Sequence, residues 1–168
     1  MAAALPFLLA ALIPMVVGAL YYSPLIAGNA WMKANGFTEE SLEGTNMVLI
    51  LILCYVFALL LTFPLWQLVV HQTGISGVLA MQEGFGVTGS EVQNYYDNFL
   101  ALYGDTHRTF GHGALHGGFI GGLGIALPLI GINSLFERRG WKYIAIHVVY
   151  WMITLSLMGG VLCQFAMR

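Results

Sequence analysis

The histidines are the residues of this chain whose type and spacing could do chemistry. Three of the five fall within residues 105–116, as His107, His112 and His116. His112 and His116 are four residues apart, so a helix places them on one face. Neutral imidazoles in this arrangement can bind Zn²⁺ or copper. They can equally make hydrogen bonds between helices and bind no ligand, and both interpretations stay open.

Other polar residues are expected at the same level, because they lie at the matching ends of neighbouring apolar stretches. A cysteine thiol among them would favour a softer ion. His147 lies about 17 Å from His116 along the helix direction at ~1.5 Å per residue, so one haem iron cannot bind both. The candidate ligand or metal residues are Gln67, His71, Asp105, His107, His112, His116, Cys163 and Gln164.

These residues define a candidate pocket, and they do not define a reaction. The ligand would be a transition metal, haem or a small polar solute, and a pair of imidazoles titrating near neutral pH is a further possibility. The sequence has no phosphate loop, GxSxG, HExxH or Ser/Lys arrangement, so enzymatic activity is not predicted. A net charge of −2 with six Lys and Arg residues excludes a basic surface for nucleic acid.

The elements that position these histidines are membrane-spanning helices. Hydrophobic residues form 58% of the 168 residues and charged residues only 8%, with a mean hydropathy of +0.78. A soluble domain of this size cannot bury so much apolar surface. Stretches of about 20 apolar residues predict an all-α polytopic membrane protein, a single domain of residues 1–168. The four predicted transmembrane helices are residues 2–22, 47–70, 109–132 and 143–166.

The distribution of Lys and Arg predicts how these spans are oriented, since cytoplasmic loops carry the excess of positive charge. The first and third loops carry four such residues, and the opposite side carries only Arg108 and Arg168. Both termini and the second loop are therefore expected outside. The first span lacks a positively charged start, so we expect an uncleaved helix. The four positive residues of loops one and three are Lys33, Arg138, Arg139 and Lys142.

The second loop, between spans two and three, contains a predicted amphipathic helix. Ser90 and Gln93 form a capping-box pattern, and apolar residues then recur at helical spacing until Gly104. We expect this helix to lie on the outer membrane interface, or to cover the mouth of the bundle.

The third span contains two adjacent rows of small residues. Small residues let helix backbones approach closely in lipid, so the rows predict a tightly packed helix pair, either within the chain or across a dimer. The helix-packing glycines are Gly113, Gly117, Gly118, Gly121 and Gly122.

Several separated motifs resemble one family of small bacterial membrane proteins, known only as a domain of unknown function. They are GALYYSP at residues 18–24, FGHGALHGG at residues 110–118, LFERR at residues 135–139 and MGG at residues 158–160. The resemblance covers nearly the whole chain. It implies a multi-pass protein of the bacterial inner membrane, and it brings no activity, ligand or catalytic residue.

Three functions are compatible with these observations. The first is a non-enzymatic accessory or assembly subunit, or a homo-oligomer held by the glycine face of span three. The second is a ligand-binding membrane protein that uses the outward-facing histidines. The third is a small channel or transporter subunit, which would need oligomerisation, because four helices with few polar interior groups leave little room for a conduit.

Overall fold

The computed structural model describes residues 2–167, and over these residues every regular element is helical. A short 3₁₀ turn, Ala2–Ala4, precedes the first α-helix. The elements are α1 (Leu5–Tyr21), α2 (Gly28–Asn35), α3 (Glu39–Leu42), α4 (Met47–Val69), α5 (Gln72–Leu79), α6 (Glu91–Tyr103), α7 (Phe110–His116), a π-helical segment (Gly117–Ala126), α8 (Leu127–Phe136) and α9 (Trp141–Phe165).

Three helices are long and apolar enough to cross a membrane. They are α4, α9 and the composite helix Phe110–Phe136, which consists of α7, the π-helical segment and α8. The helix α1 is apolar but has only 17 residues. Three helices of sufficient length therefore support the prediction of a polytopic all-α membrane protein. The composite helix continues beyond residue 132, where the third span was expected to end.

The central helix of the bundle is α9. In its most apolar stretch 44% of the residues are buried, against 17% in α4 and 17% in the composite helix. It packs against α1, α4 and the composite helix, and its side chains Leu155, Met158 and Leu162 lie in the core. The outward faces of α1 and α4 carry exposed Leu, Ile, Val and Phe side chains, the surface expected of helices that contact lipid.

The glycine face of the composite helix packs against α9 of the same chain. A Cβ at Gly113 or Gly117 would overlap backbone atoms of Gly159 or Leu155, and one at Gly122 would lie 2.6 Å from Cγ of Met152. The predicted tight helix pair is therefore intramolecular. Between residues 117 and 126 the helix has π geometry, with Leu127 N–H donating to the carbonyl of Gly122. All five predicted packing glycines are buried, four of them in this segment and Gly113 in α7.

Most of the candidate site residues come to one end of the bundle, because the composite helix and α9 run in opposite directions. The end of α4, the start of α7 and the end of α9 meet there, since the Cys163 Sγ donates to the carbonyl of Val69 at 3.2 Å. At the opposite end the hydroxyl of Tyr22 lies 3.0 Å from Nδ1 of His147.

The second loop contains two helices. The predicted helix is present as α6, and the Ser90 side chain accepts from the backbone N–H of Gln93 at 3.0 Å. The other helix, α5, was not among the predicted elements. The amide nitrogen of Gln72 joins the two helices by donating to the carbonyls of Tyr103 and Thr106 at 2.9 and 2.8 Å.

Candidate metal centre

Two of the candidate ligands, His112 and His116, lie on the first two turns of the composite helix. The helix begins after Thr109, whose side chain accepts from the backbone N–H of His112 at 3.2 Å and satisfies one of the free N–H groups of the first turn. The imidazole rings of His112 and His116 lie with centroids 4.1 Å apart. The predicted shared face is therefore present.

The third ligand, His71, comes from the other side of the second loop. It follows the end of α4 and immediately precedes α5. Its Nε2 lies 3.0 Å from Nε2 of His112, and its ring centroid lies 5.2 Å from that of His116. Residues 41 positions apart in the chain therefore share one cluster.

His71, His112 and His116 form what we call the imidazole triad. One ring nitrogen from each lies within 4.8 Å of the others. Two nitrogens bound to a tetrahedral Zn²⁺ at ~2.05 Å are about 3.3 Å apart. The 3.0 Å separation between His71 and His112 would open by only a few tenths of an ångström to admit an ion. Three protein ligands leave the fourth tetrahedral position open for water or another ligand.

The tautomer of His116 is set by a backbone contact. Its Nδ1 lies 3.1 Å from the carbonyl oxygen of His112, which can only accept, so Nδ1 carries the proton. The lone pair is then on Nε2, the atom available to a metal. A ligating histidine usually donates its other N–H to a carbonyl or carboxylate in this way.

His107 is close to the triad without belonging to it. Its ring stacks on that of His112 with centroids 4.9 Å apart and planes at 17°. Its backbone φ is 61°, which lies in the left-handed region that residues other than glycine rarely adopt. This turn directs its carbonyl oxygen to both the N–H of Thr109 and the thiol of Cys163.

The other predicted ligands do not join the triad. Cys163 is 1% exposed, and its thiol donates to the carbonyls of Val69 and His107 at 3.2 and 3.3 Å. The thiol is thus engaged by two backbone carbonyls, and the triad contains imidazole nitrogens only. Asp105 lies in the loop before α7 and borders a separate cavity of about 560 Å³. Gln67 is exposed and Gln164 is half-buried, each outside the triad.

Sequence reasoning missed the structural role of Arg108. In the sequence, Arg108 contributes only to the balance of positive charge between the loops. In the structure it is buried, with 6% of its surface exposed. Its Nε donates to the carbonyl of Cys163 at 2.7 Å, and its Nη2 donates to the carbonyl of Ala166. The guanidinium thus satisfies carbonyls at the carboxyl-terminal end of α9, where the helix dipole favours a cation.

His71 is largely exposed, but partial removal of its ring from water lowers its pKa, and the neighbouring rings of His116 and His107 lower it further. The pKa falls because a second positive charge near protonated imidazoles is unfavourable. His71 therefore remains neutral at physiological pH, which is the form that binds a metal.

The fifth histidine, His147, lies at the opposite end of the bundle. It pairs with Tyr22, in agreement with the separation expected from helical rise. The triad rings lie 4.1 to 5.2 Å apart with two nitrogens in direct contact, which leaves no space for a porphyrin between them. The triad therefore fits a single ion and does not fit haem.

The chain matches one known protein family, for which no activity is described. A family described as "Protein of unknown function (DUF1761)" matches residues 5–163. No curated protein matches the chain. No solved structure matches it either.

Proposed function

This chain belongs to the DUF1761 family of proteins of unknown function, and we propose that it is a membrane protein that binds one transition-metal ion. The ligands are His71, His112 and His116. The observation that carries this proposal is that three imidazole nitrogens from two separate segments lie within 4.8 Å of one another. An isolated pair at helical spacing would be weaker support, since neighbouring histidines on a helix are close whatever their role.

The ligand set favours Zn²⁺ or Cu²⁺. Imidazole suits both ions, and within residues 2–167 no thiolate or carboxylate belongs to the set of ligand atoms within 4.8 Å. Magnesium and calcium prefer oxygen ligands and are not expected here. The fixed tautomer of His116 supports binding, because the protein has already oriented one lone pair.

The proposal includes four spans in a bacterial inner membrane, with α1 as the first. The 17 residues of α1 are apolar throughout, and a helix of this length reaches the lower limit for crossing a bilayer. Its end is anchored by Tyr21, whose hydroxyl donates to the carbonyl of Ile146 at 3.0 Å. The balance of Lys and Arg supports an orientation with both termini and the triad on the non-cytoplasmic side.

The two competing functions have less support. A homo-oligomer or assembly subunit held by the glycine face is disfavoured because α9 of the same chain covers that face. A channel or transporter subunit would need a polar path next to the triad. The core between α4 and α9 near that level is apolar, with Val69, Met158 and Leu162 buried.

The test is metal binding by the purified chain in lipid nanodiscs. After treatment with a chelator, the protein is titrated with Zn²⁺ or Cu²⁺ and the bound metal is counted by mass spectrometry. We expect one ion per chain in the parent and loss of at least about 100-fold in affinity for His116→Ala, since one of three ligands is removed. His147→Ala is the matched control, because this histidine lies at the opposite end of the bundle.

The same experiment separates loss of a ligand from loss of the fold. Thermal unfolding of the metal-free proteins should give the same midpoint for the parent and for His71→Ala, whose side chain is exposed. Equal metal content in the parent and in the variant His112→Ala/His116→Ala would overturn the proposal, as would a metal-free parent in excess Zn²⁺ and Cu²⁺.

A further inference from the structure

A mostly apolar cavity of about 410 Å³ adjoins the imidazole triad. Helix α5 contributes Ile75 to its wall, and α6 contributes Phe99 and Tyr103. His71, a member of the triad, and His107 also line it. The volume lies within the range of pockets that bind small organic molecules.

The cavity and the triad share His71. A molecule inside the cavity therefore contacts the ring of one ligand directly, with the stacked His107 beside it. Because three imidazoles leave one coordination position of a tetrahedral ion open, an atom at the end of such a molecule can complete the coordination. This step rests on the proposed metal binding.

The charges around the cavity indicate which chemical group binds best. Three neutral imidazoles leave a bound divalent ion with its full charge of about +2. Among the residues that the structure describes, none that lines the cavity is acidic. An anionic oxygen group is therefore favoured at the metal. The apolar walls formed by Ile75 and Phe99 favour an alkyl chain attached to that group and lying in the cavity.

We propose that this cavity binds an amphiphile with a carboxylate-type head, whose oxygen completes the coordination of the metal while its alkyl chain lies between α5 and α6. The site lies at the polar end of the bundle, where we expect the boundary between water and lipid. A molecule with a polar head and an apolar chain suits this boundary. A lipid-derived fatty acid and a short water-soluble acid share the same head, and chain length distinguishes them.

The test uses the protein loaded with Co²⁺ in nanodiscs, whose visible absorption reports the coordination of the ion. Acetohydroxamate and octanohydroxamate serve as probes with the same head and different chains. We expect octanohydroxamate to bind at least about tenfold more tightly, as burial of roughly two methylene groups would give. Ile75→Trp, which fills the cavity, should reduce this ratio at least about threefold and leave acetohydroxamate binding unchanged.

The variants correct for partition of the longer probe into the bilayer, which is the same for every protein. Phe99→Ala provides a second change, because it removes one wall without adding bulk. An equal ratio in the parent, Ile75→Trp and Phe99→Ala would overturn the inference, as would removal of Co²⁺ from the protein by either probe. Failure of Zn²⁺, Cu²⁺ and Co²⁺ alike to bind would instead contradict the proposed metal binding.

Discussion

Arg108 lies against the last turn of α9, where its Nε donates to the backbone carbonyl of Cys163 at 2.7 Å. The thiol of Cys163 in turn donates to the carbonyl of His107 at 3.3 Å. Adjacent residues of the second loop are thus bound to one residue of α9. This connection holds the start of the composite helix, and with it two of the triad histidines, against the end of α9.

Removing the Arg108 guanidinium should destabilise the fold. Arg108→Met leaves the buried carbonyls of Cys163 and Ala166 without their charged donor, and hydrogen bonds to charged groups are worth about 1.5–3 kcal/mol. We expect the free energy of unfolding to fall by about 2–3 kcal/mol, measured by denaturant titration in mixed micelles. Lys142→Met, at an exposed position, is the control. Equal midpoints for the two variants would contradict this role for Arg108.

The glycines of the composite helix should tolerate a methyl group only away from α9. A Cβ at Gly117 would overlap the carbonyl of Leu155, and overpacking of this kind costs about 1–3 kcal/mol. We expect Gly117→Ala to unfold at a lower temperature than the parent. Gly131 has nothing within 4 Å of the position of a Cβ, so Gly131→Ala should be neutral or more stable by up to ~1 kcal/mol.

The glycine comparison also tests where the packing occurs. If Gly117→Ala folds as stably as the parent but changes the size of the protein on native gels, the glycine face contacts a second chain instead of α9.

Metal affinity should fall in acid. The pKa of His71 is lowered by partial desolvation and by His116 and His107, so protons compete with the metal at this ligand below about pH 6.5, the ordinary value of a free imidazole. We expect Zn²⁺ affinity to vary little between about pH 7 and 8 and to fall more than about tenfold by about pH 5.5. Calorimetric titration measures this, and His147→Ala should follow the parent curve. A flat profile would mean that imidazoles are not the ligands.

The orientation in the membrane can be checked with two glutamates on opposite loops. Glu43 lies in the first loop and Glu83 in the second, and both are exposed. A membrane-impermeant maleimide should label Glu83→Cys in intact spheroplasts, because the second loop is expected outside. Glu43→Cys should react only after lysis. Labelling of Glu43→Cys in intact cells would reverse the proposed topology, and the parent, with Cys54 and Cys163, gives the background.

Much of the architecture follows from local sequence patterns. Apolar stretches of sufficient length predict α4, the composite helix and α9. Lipid offers no hydrogen-bond partners, so the backbone N–H and C=O groups of such a stretch must bond to each other within a helix. The capping pattern at Ser90 predicts the start of α6. The spacing of His112 and His116 predicts their shared face, because four residues make about one helical turn.

The composition of the site could be predicted only in part, because it depends on the path of the second loop. Helical ends at one level suggested eight candidates, yet only three form the triad. The thiol of Cys163 is directed away by carbonyls of Val69 and His107, which no pattern of residue types reveals. The burial of Arg108 and the presence of α5 likewise depend on contacts between segments distant in the chain.

The contact between His71 and His112 joins residues 41 positions apart, so a bound ion would act as a removable cross-link around α5 and α6. Closing such a loop removes chain entropy that the open form retains. Stripping the ion should therefore loosen α5 and α6 selectively, with faster amide exchange there than in the composite helix and α9. Binding of a single ion would therefore control how rigidly α5 and α6 are held against the long helices.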